Sequence, residues 1–95
     1  MLERIVKLTI APQELERFVE LFKESKPRIL EFGGCSEVHL LRAVAPPNVV
    51  FTHSFWESEA ALEAYRNSDL FRETWRKVKP LFADKAEAWS VNEIA

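Results

Sequence analysis

Val49-Val50-Phe51-Thr52-His53-Ser54-Phe55-Trp56 reads as a β-strand with large side chains on both faces. Phe51, His53 and Phe55 share one face; Val50, Thr52, Ser54 and Trp56 share the other. Successive residues of a strand point to opposite sides of its sheet, so a strand that is apolar on both faces must be covered on both. Just before it, Ala45-Pro46-Pro47-Asn48 has turn chemistry and cannot continue a ladder. A second strand from about Cys35 to Val44 therefore forms a hairpin with the strand over Val49–Glu57.

Working outward, Leu2 to Ile10 alternates and is rich in β-branched residues, with Leu2, Arg4, Val6, Leu8 and Ile10 on one side. Ala11-Pro12 ends it. A helix is expected from about Pro12 to Glu31, with an apolar stripe through Leu15, Phe18, Val19, Phe22, Ile29 and Leu30. Pro27 removes a hydrogen bond and crowds the carbonyl of Lys23, which predicts a kink or break. Gly33-Gly34 terminates the segment. Ser58 is a good N-cap for a short helix through Leu62 and Tyr65. Asn67-Ser68 breaks that helix, and Ser68 caps another through Leu70, Phe71, Trp75, Val78 and Phe82, ended by Pro80 and Ala83-Asp84. The tail from Ala86 to Ile94 alternates as a closing strand.

The order β-α-β-β-α-α-β predicts an α+β fold over residues 1–95 as one domain. With right-handed crossovers it gives a ferredoxin-like four-stranded antiparallel sheet with helices on one face. That leaves Phe51 and Phe55 on a bare sheet face, and a two-fold homodimer through that face would cover it.

Composition narrows the function. The 95 residues are 47% hydrophobic and 29% charged, the formal net charge is −2, and the charges are interspersed. This is ordinary for a globular protein and carries no basic stripe for nucleic acid. Arg66, Arg72, Arg76, Lys77 and Lys79 lie among Glu63, Asp69 and Glu73, the pattern of a solvated helix face. No apolar run approaches membrane-spanning length. No signal-peptide pattern opens the chain, so the expected location is cytoplasmic. Cys35 is the single cysteine, which excludes an internal disulfide and a thiolate metal cage. Aromatic residues reach 12%, including seven Phe and three Trp, and must pack in a core, a ligand cavity or a subunit interface.

Phe55-Trp56-Glu57-Ser58-Glu59-Ala60-Ala61-Leu62 and Asn67-Ser68-Asp69-Leu70-Phe71 resemble the antibiotic biosynthesis monooxygenase (ABM) family. The Gly33-Gly34-Cys35 turn and the late Ala88-Trp89-Ser90-Val91 strand look like that family as well, so the resemblance runs through the whole chain. It implies a dimeric α+β barrel with a cavity between sheet and helices in each subunit. Some members oxidise anthrones or quinols with molecular oxygen and no metal or flavin; a related branch binds and degrades haem; others have no assigned activity. The haem branch uses a strand-ending tryptophan, matched here by Trp56. It also needs an axial histidine where this chain has Trp75, and an asparagine where it has Val6. Haem degradation is therefore not expected. A histidine common in ABM members, seven residues past the capping serine, is replaced by Tyr65.

Candidate substrate-binding residues are Trp56, Tyr65, Phe71 and Trp75, whose rings would stack a flat molecule and whose phenol offers a hydroxyl; plain core packing is the competing reading. Candidate catalytic residues are His39, His53 and Tyr65, the histidines because an imidazole titrates near neutrality. If Trp56 faces the helices, His53 faces the dimer interface. Two histidines without a patterned carboxylate make no metal site, and Cys35 reads as a structural thiol. Two functions fit. One is a cofactor-independent monooxygenase acting on a small aromatic, anthrone or quinol-like compound. The other is a non-catalytic small-molecule-binding or stress-related module on the same scaffold.

Overall fold

The alternation of the central strands sets the architecture. The computed structural model describes residues Met1–Ala95. Strand β1 spans Leu2–Thr9, helix α1 Leu15–Phe32, β2 Cys35–Arg42, β3 Val49–Trp56, α2 Glu59–Arg66, α3 Asp69–Val78 and β4 Glu87–Val91. The sheet order is β2-β3-β1-β4, all antiparallel. This is the expected ferredoxin-like α+β arrangement, with the three helices on one face. None of the helices is long and apolar enough to cross a membrane.

Two buried clusters fill the space between sheet and helices. One joins Leu2, Ile29, Cys35, Val38, Trp56, Leu62 and Tyr65; the other joins Leu8, Ile10, Phe18, Leu21, Val50, Val78 and Leu81. Phe22 of α1 packs against both. All strand residues in these clusters except Cys35, which precedes a bulge between Cys35 and Glu37, carry even numbers, as period-two alternation requires.

Two local expectations change. Helix α1 runs unbroken through Pro27. Pro27 and Lys23 are exposed, so water can satisfy the carbonyl that loses its partner, while buried Phe18, Leu21 and Ile29 pin the helix on either side. Pro12 opens a 3-10 turn, Pro12–Glu14, and the α-helix begins only at Leu15. Near the other end, α3 stops at Val78 and a second 3-10 turn, Lys79–Leu81, contains Pro80. Phe82 therefore lies beyond the helix and bridges to Ile10.

Gly34 is fixed by contact as well as by backbone. Its φ is +88°, and a Cβ there would stand 2.7 Å from the Ala61 Cβ and 3.9 Å from the Trp56 ring. Its carbonyl accepts from Glu57 N–H at 2.9 Å. The turn thus brings the start of β2 against α2 and the end of β3. Gly34→Ala should destabilise the protein by about 2–4 kcal/mol, from left-handed strain plus overpacking, measured by urea denaturation.

Candidate functional site

The four aromatic residues singled out in the sequence form one continuous wall. Trp56 ends β3 on the helix side, is 1% exposed, and donates its indole N–H to Ser54 Oγ at 2.9 Å. Tyr65 stacks on it at 5.1 Å and 28°. Phe71 meets Tyr65 edge-on at 5.3 Å, and Trp75 follows at 5.6 Å, one helical turn along α3.

Short polar contacts hold these rings in place. Ser58 Oγ accepts from Ala61 N–H at 3.1 Å and caps α2. Ser68 Oγ accepts from Phe71 N–H at 3.1 Å, capping α3, and donates to the Tyr65 carbonyl at 2.6 Å. One serine therefore ties the end of α2 to the start of α3 and sets the angle between Tyr65 and Phe71.

The wall encloses a cavity of about 450 Å³ between the inner sheet face and the helices, lined by 20 residues of which 14 are hydrophobic. That is the size and character of a small-molecule site. Its lining comes from both apolar clusters, including Leu8, Phe18 and Val78 from one and Ile29, Val38 and Leu62 from the other. The cavity lies along their junction.

Polar groups in the lining are few. Ser25 and Thr74 donate their hydroxyls to the Leu21 and Leu70 carbonyls of their own helices, at 2.9 and 2.8 Å. Thr52, Ser54, Arg4 and Arg66 complete the polar set beside the Tyr65 phenol. No carboxylate, imidazole or thiol lines the cavity. Burial pushes the Tyr65 phenol up to about 12, with the nearby Cys35 adding to the effect. At neutral pH it is a hydrogen-bond donor and cannot act as a base.

His39 and His53 are not brought to this cavity. They face each other across β2 and β3 on the outer sheet face, because their odd-numbered positions alternate away from Ser54 and Trp56. His53 Nε2 lies 2.7 Å from Glu3 Oε1, and His39 Nε2 lies 3.0 Å from Glu37 Oε1. Each imidazole is thus engaged by a carboxylate of its own chain. Cys35 is buried, its thiol is pushed up by burial, and its Sγ donates to the Glu37 carbonyl at 3.3 Å. That is the chemistry of a structural thiol. No cluster of three His, Cys, Asp or Glu side chains could hold a metal ion.

Both charged lining residues escaped the sequence reading. Arg66, grouped there with a solvated helix face, reaches the cavity from the last turn of α2. Arg4 lies on β1 among the apolar residues of the inner face. The signal for Arg4 was present: a cation sharing the alternation of Leu2, Val6, Leu8 and Ile10.

Comparison with known proteins places this geometry. A Nitrosomonas europaea protein provisionally named an antibiotic biosynthesis monooxygenase superposes with a TM-score of 0.89 at 13% identity, covering 100% of both chains. A Bordetella bronchiseptica protein with the same provisional name gives 0.91 at 20% identity, covering 99% of this chain and 97% of its own. A conserved Methanosarcina mazei protein gives 0.90 at 20% identity, over 99% and 94%. At these identities the likeness is one of fold. In sequence, a Natronomonas pharaonis protein provisionally named as heme-binding is 32% identical over 77 residues, which cover 81% of this chain and 13% of that protein.

The cavity does not fit haem by its donor set. Trp75 stands where the resemblance placed an axial histidine, no histidine, cysteine or methionine lines the space, and the Tyr65 phenol stays protonated. The antibiotic biosynthesis monooxygenase family model matches residues 1–77, and the chain belongs to that family.

Proposed function

We propose that the protein is a cofactor-independent monooxygenase that oxidises a small aromatic, anthrone or quinol-like compound with molecular oxygen. The observation that carries this reading is the unbroken aromatic wall, Trp56–Tyr65–Phe71–Trp75, around a cavity of small-molecule size. A flat substrate stacks against the half-buried Phe71 and Trp75 rings at the inner end of that wall, and the apolar lining keeps the reacting carbon dry. The ionised substrate passes one electron to oxygen, and the resulting radical pair combines at carbon. Loss of water then leaves the quinone, so that one oxygen atom enters the product and the other leaves as water. The protein's part is orientation and control of charge. Tyr65, held neutral, donates a hydrogen bond to the substrate oxygen. His39 and His53, each engaged by a glutamate on the outer face, support that face in this scheme.

A second reading, a binding module without catalysis, is favoured by one observation: no side chain of ordinary basicity lines the cavity. The two readings part on oxygen uptake. With a chelator present, the protein should consume oxygen saturably with at least one member of a panel of reduced quinones and hydroxyanthrones, above autoxidation. Tyr65→Phe should then lower kcat about 10–100-fold, the scale of removing one aimed donor. Ligand quenching of tryptophan fluorescence with no uptake above the blank would establish the binding module instead.

The state of Tyr65 has its own test, because it is the single tyrosine. Phenolate absorbance should titrate with a midpoint near 12, not near the usual value of about 10. The folded state holds its proton more tightly than the unfolded chain. Its contribution to stability is thus full below the unfolded pKa and is lost as pH rises through the folded one, about 2–3 kcal/mol in all.

We also propose that residues 1–95 act as one domain and that two copies pair through the outer sheet face. Leu41, Trp89 and Val91 are 48%, 46% and 36% exposed there, beside Ile5, Phe51 and Phe55. A stable pair needs about 800 Å² from each copy, preferably with such an apolar centre. Leu41→Asp combined with Trp89→Asp should convert a sedimenting dimer to a monomer.

A further inference from the structure

The positive charge at one end of the cavity has no full counterpart in the chain. On the inner face, β1 places Arg4 in a cross-strand row between Ser54 of β3 and Ser90 of β4. Its guanidinium donates to Ser90 Oγ at 3.1 Å and forms no ion pair. Arg66 closes the same end from α2, 3.5 Å from the exposed Glu63 carboxylate one turn back on its own helix. Two guanidiniums and one carboxylate leave a net charge of +1.

The two cations also feel one another. Burial lowers the Arg4 pKa, the Arg66 charge lowers it further, and Glu63 opposes them. Arginine nonetheless stays charged at any working pH. A guanidinium on an apolar wall with one side-chain hydrogen bond and no ion pair keeps donors free for an anion. Its planar fork suits an ionised oxygen, and Ser54, its cross-strand neighbour, lines the same cavity.

We propose that the cavity selects aromatic anions: a planar ring system against Phe71 and Trp75, with an ionised oxygen at its edge paired to Arg4 and Arg66. This rests on the cavity's being the ligand site, as in the proposed function, and adds the charge of the ligand. It also accounts for a lining without a base. A substrate that binds as its enolate or phenolate needs no proton acceptor in the cavity, since the guanidiniums stabilise the ionised form.

The test is equilibrium binding by tryptophan fluorescence, with 2-naphthoate against its neutral analogue 2-naphthalenemethanol, in the native protein, Arg4→Met and Arg66→Met. Oxygen chemistry plays no part in it. The native protein should bind the naphthoate about tenfold or more tightly than the alcohol, with a preference that weakens as salt is raised. Each substitution should shrink that preference while leaving the alcohol's affinity within about twofold. Arg66→Met, at an exposed helix end, keeps the test open if Arg4→Met fails to fold. Equal affinities in the native protein, or a preference untouched by the substitutions, would overturn the charge assignment and leave the cavity as a neutral aromatic site. Binding of neither probe would overturn the cavity reading and this inference together.

Discussion

Trp56 is the point on which the other elements are set. It ends the central strand β3, pairs with Leu2 of β1 and Cys35 of β2, and is almost wholly buried. An indole can be buried this deeply only if its N–H finds an acceptor, because an unpaired donor in an apolar interior costs about 1–3 kcal/mol. Ser54, two residues earlier on the same face, is that acceptor. The ring lies beside Gly34, whose missing Cβ lets Ala61 of α2 approach, and it gives Tyr65 a surface to stack on. The turn before β2, the seating of α2 and the first two rings of the cavity wall all depend on the position of one side chain.

From there the sheet divides its chemistry between two faces. The outer face carries His39, His53, Glu3 and Glu37 as near-neighbour pairs, each carboxylate in contact with an imidazole of its own chain. Such pairs leave little free hydrogen-bonding capacity on that face. Where it lines the cavity, the inner face is apolar apart from Arg4, Ser54 and Thr52. Its charge is not met by a carboxylate of its own. The asymmetry follows from the two-residue period of β1: Glu3 pairs outward with His53, while the next residue, Arg4, points inward.

Much of this was legible in the sequence because it depends on period and punctuation. The strand over Val49–Trp56, the caps at Ser58 and Ser68 and the glycine turn fix the order of elements, and the order fixes the sheet. The grouping of Trp56, Tyr65, Phe71 and Trp75 was legible for the same reason, since strand end, cap and helical spacing place them in sequence along one wall. Pro27 was misjudged because local propensity says nothing of the tertiary contacts at Phe18, Leu21 and Ile29 that hold α1 straight through it. Arg66 was hidden because its neighbours Glu63, Arg72 and Arg76 all read as a solvated face. Only the packing of α2 over the cavity end separates it from them. The state of Tyr65 could not be read at all, because a phenol's pKa is set by burial.

The pairing of a protonated phenol with two guanidiniums that share one carboxylate bears on how a cavity without a base could serve oxidation. Electron transfer to oxygen is easier from an enolate or phenolate than from its neutral acid, so the site must favour ionisation. A general base does this by taking the proton. A fixed cation does it by stabilising what remains. At a separation of 4 Å and an effective dielectric of about 20, a unit charge contributes about 4 kcal/mol, enough to lower a bound acid's pKa by as much as about three units before desolvation opposes it. The proton can then be lost to water at the mouth, where Arg66 is half-exposed. A neutral Tyr65 adds no negative charge to the cavity, whereas an ionised one would repel an anion. In that arrangement the burial that raises the Tyr65 pKa and the apolar wall that leaves Arg4 without an ion pair would act in the same direction, toward binding an anion.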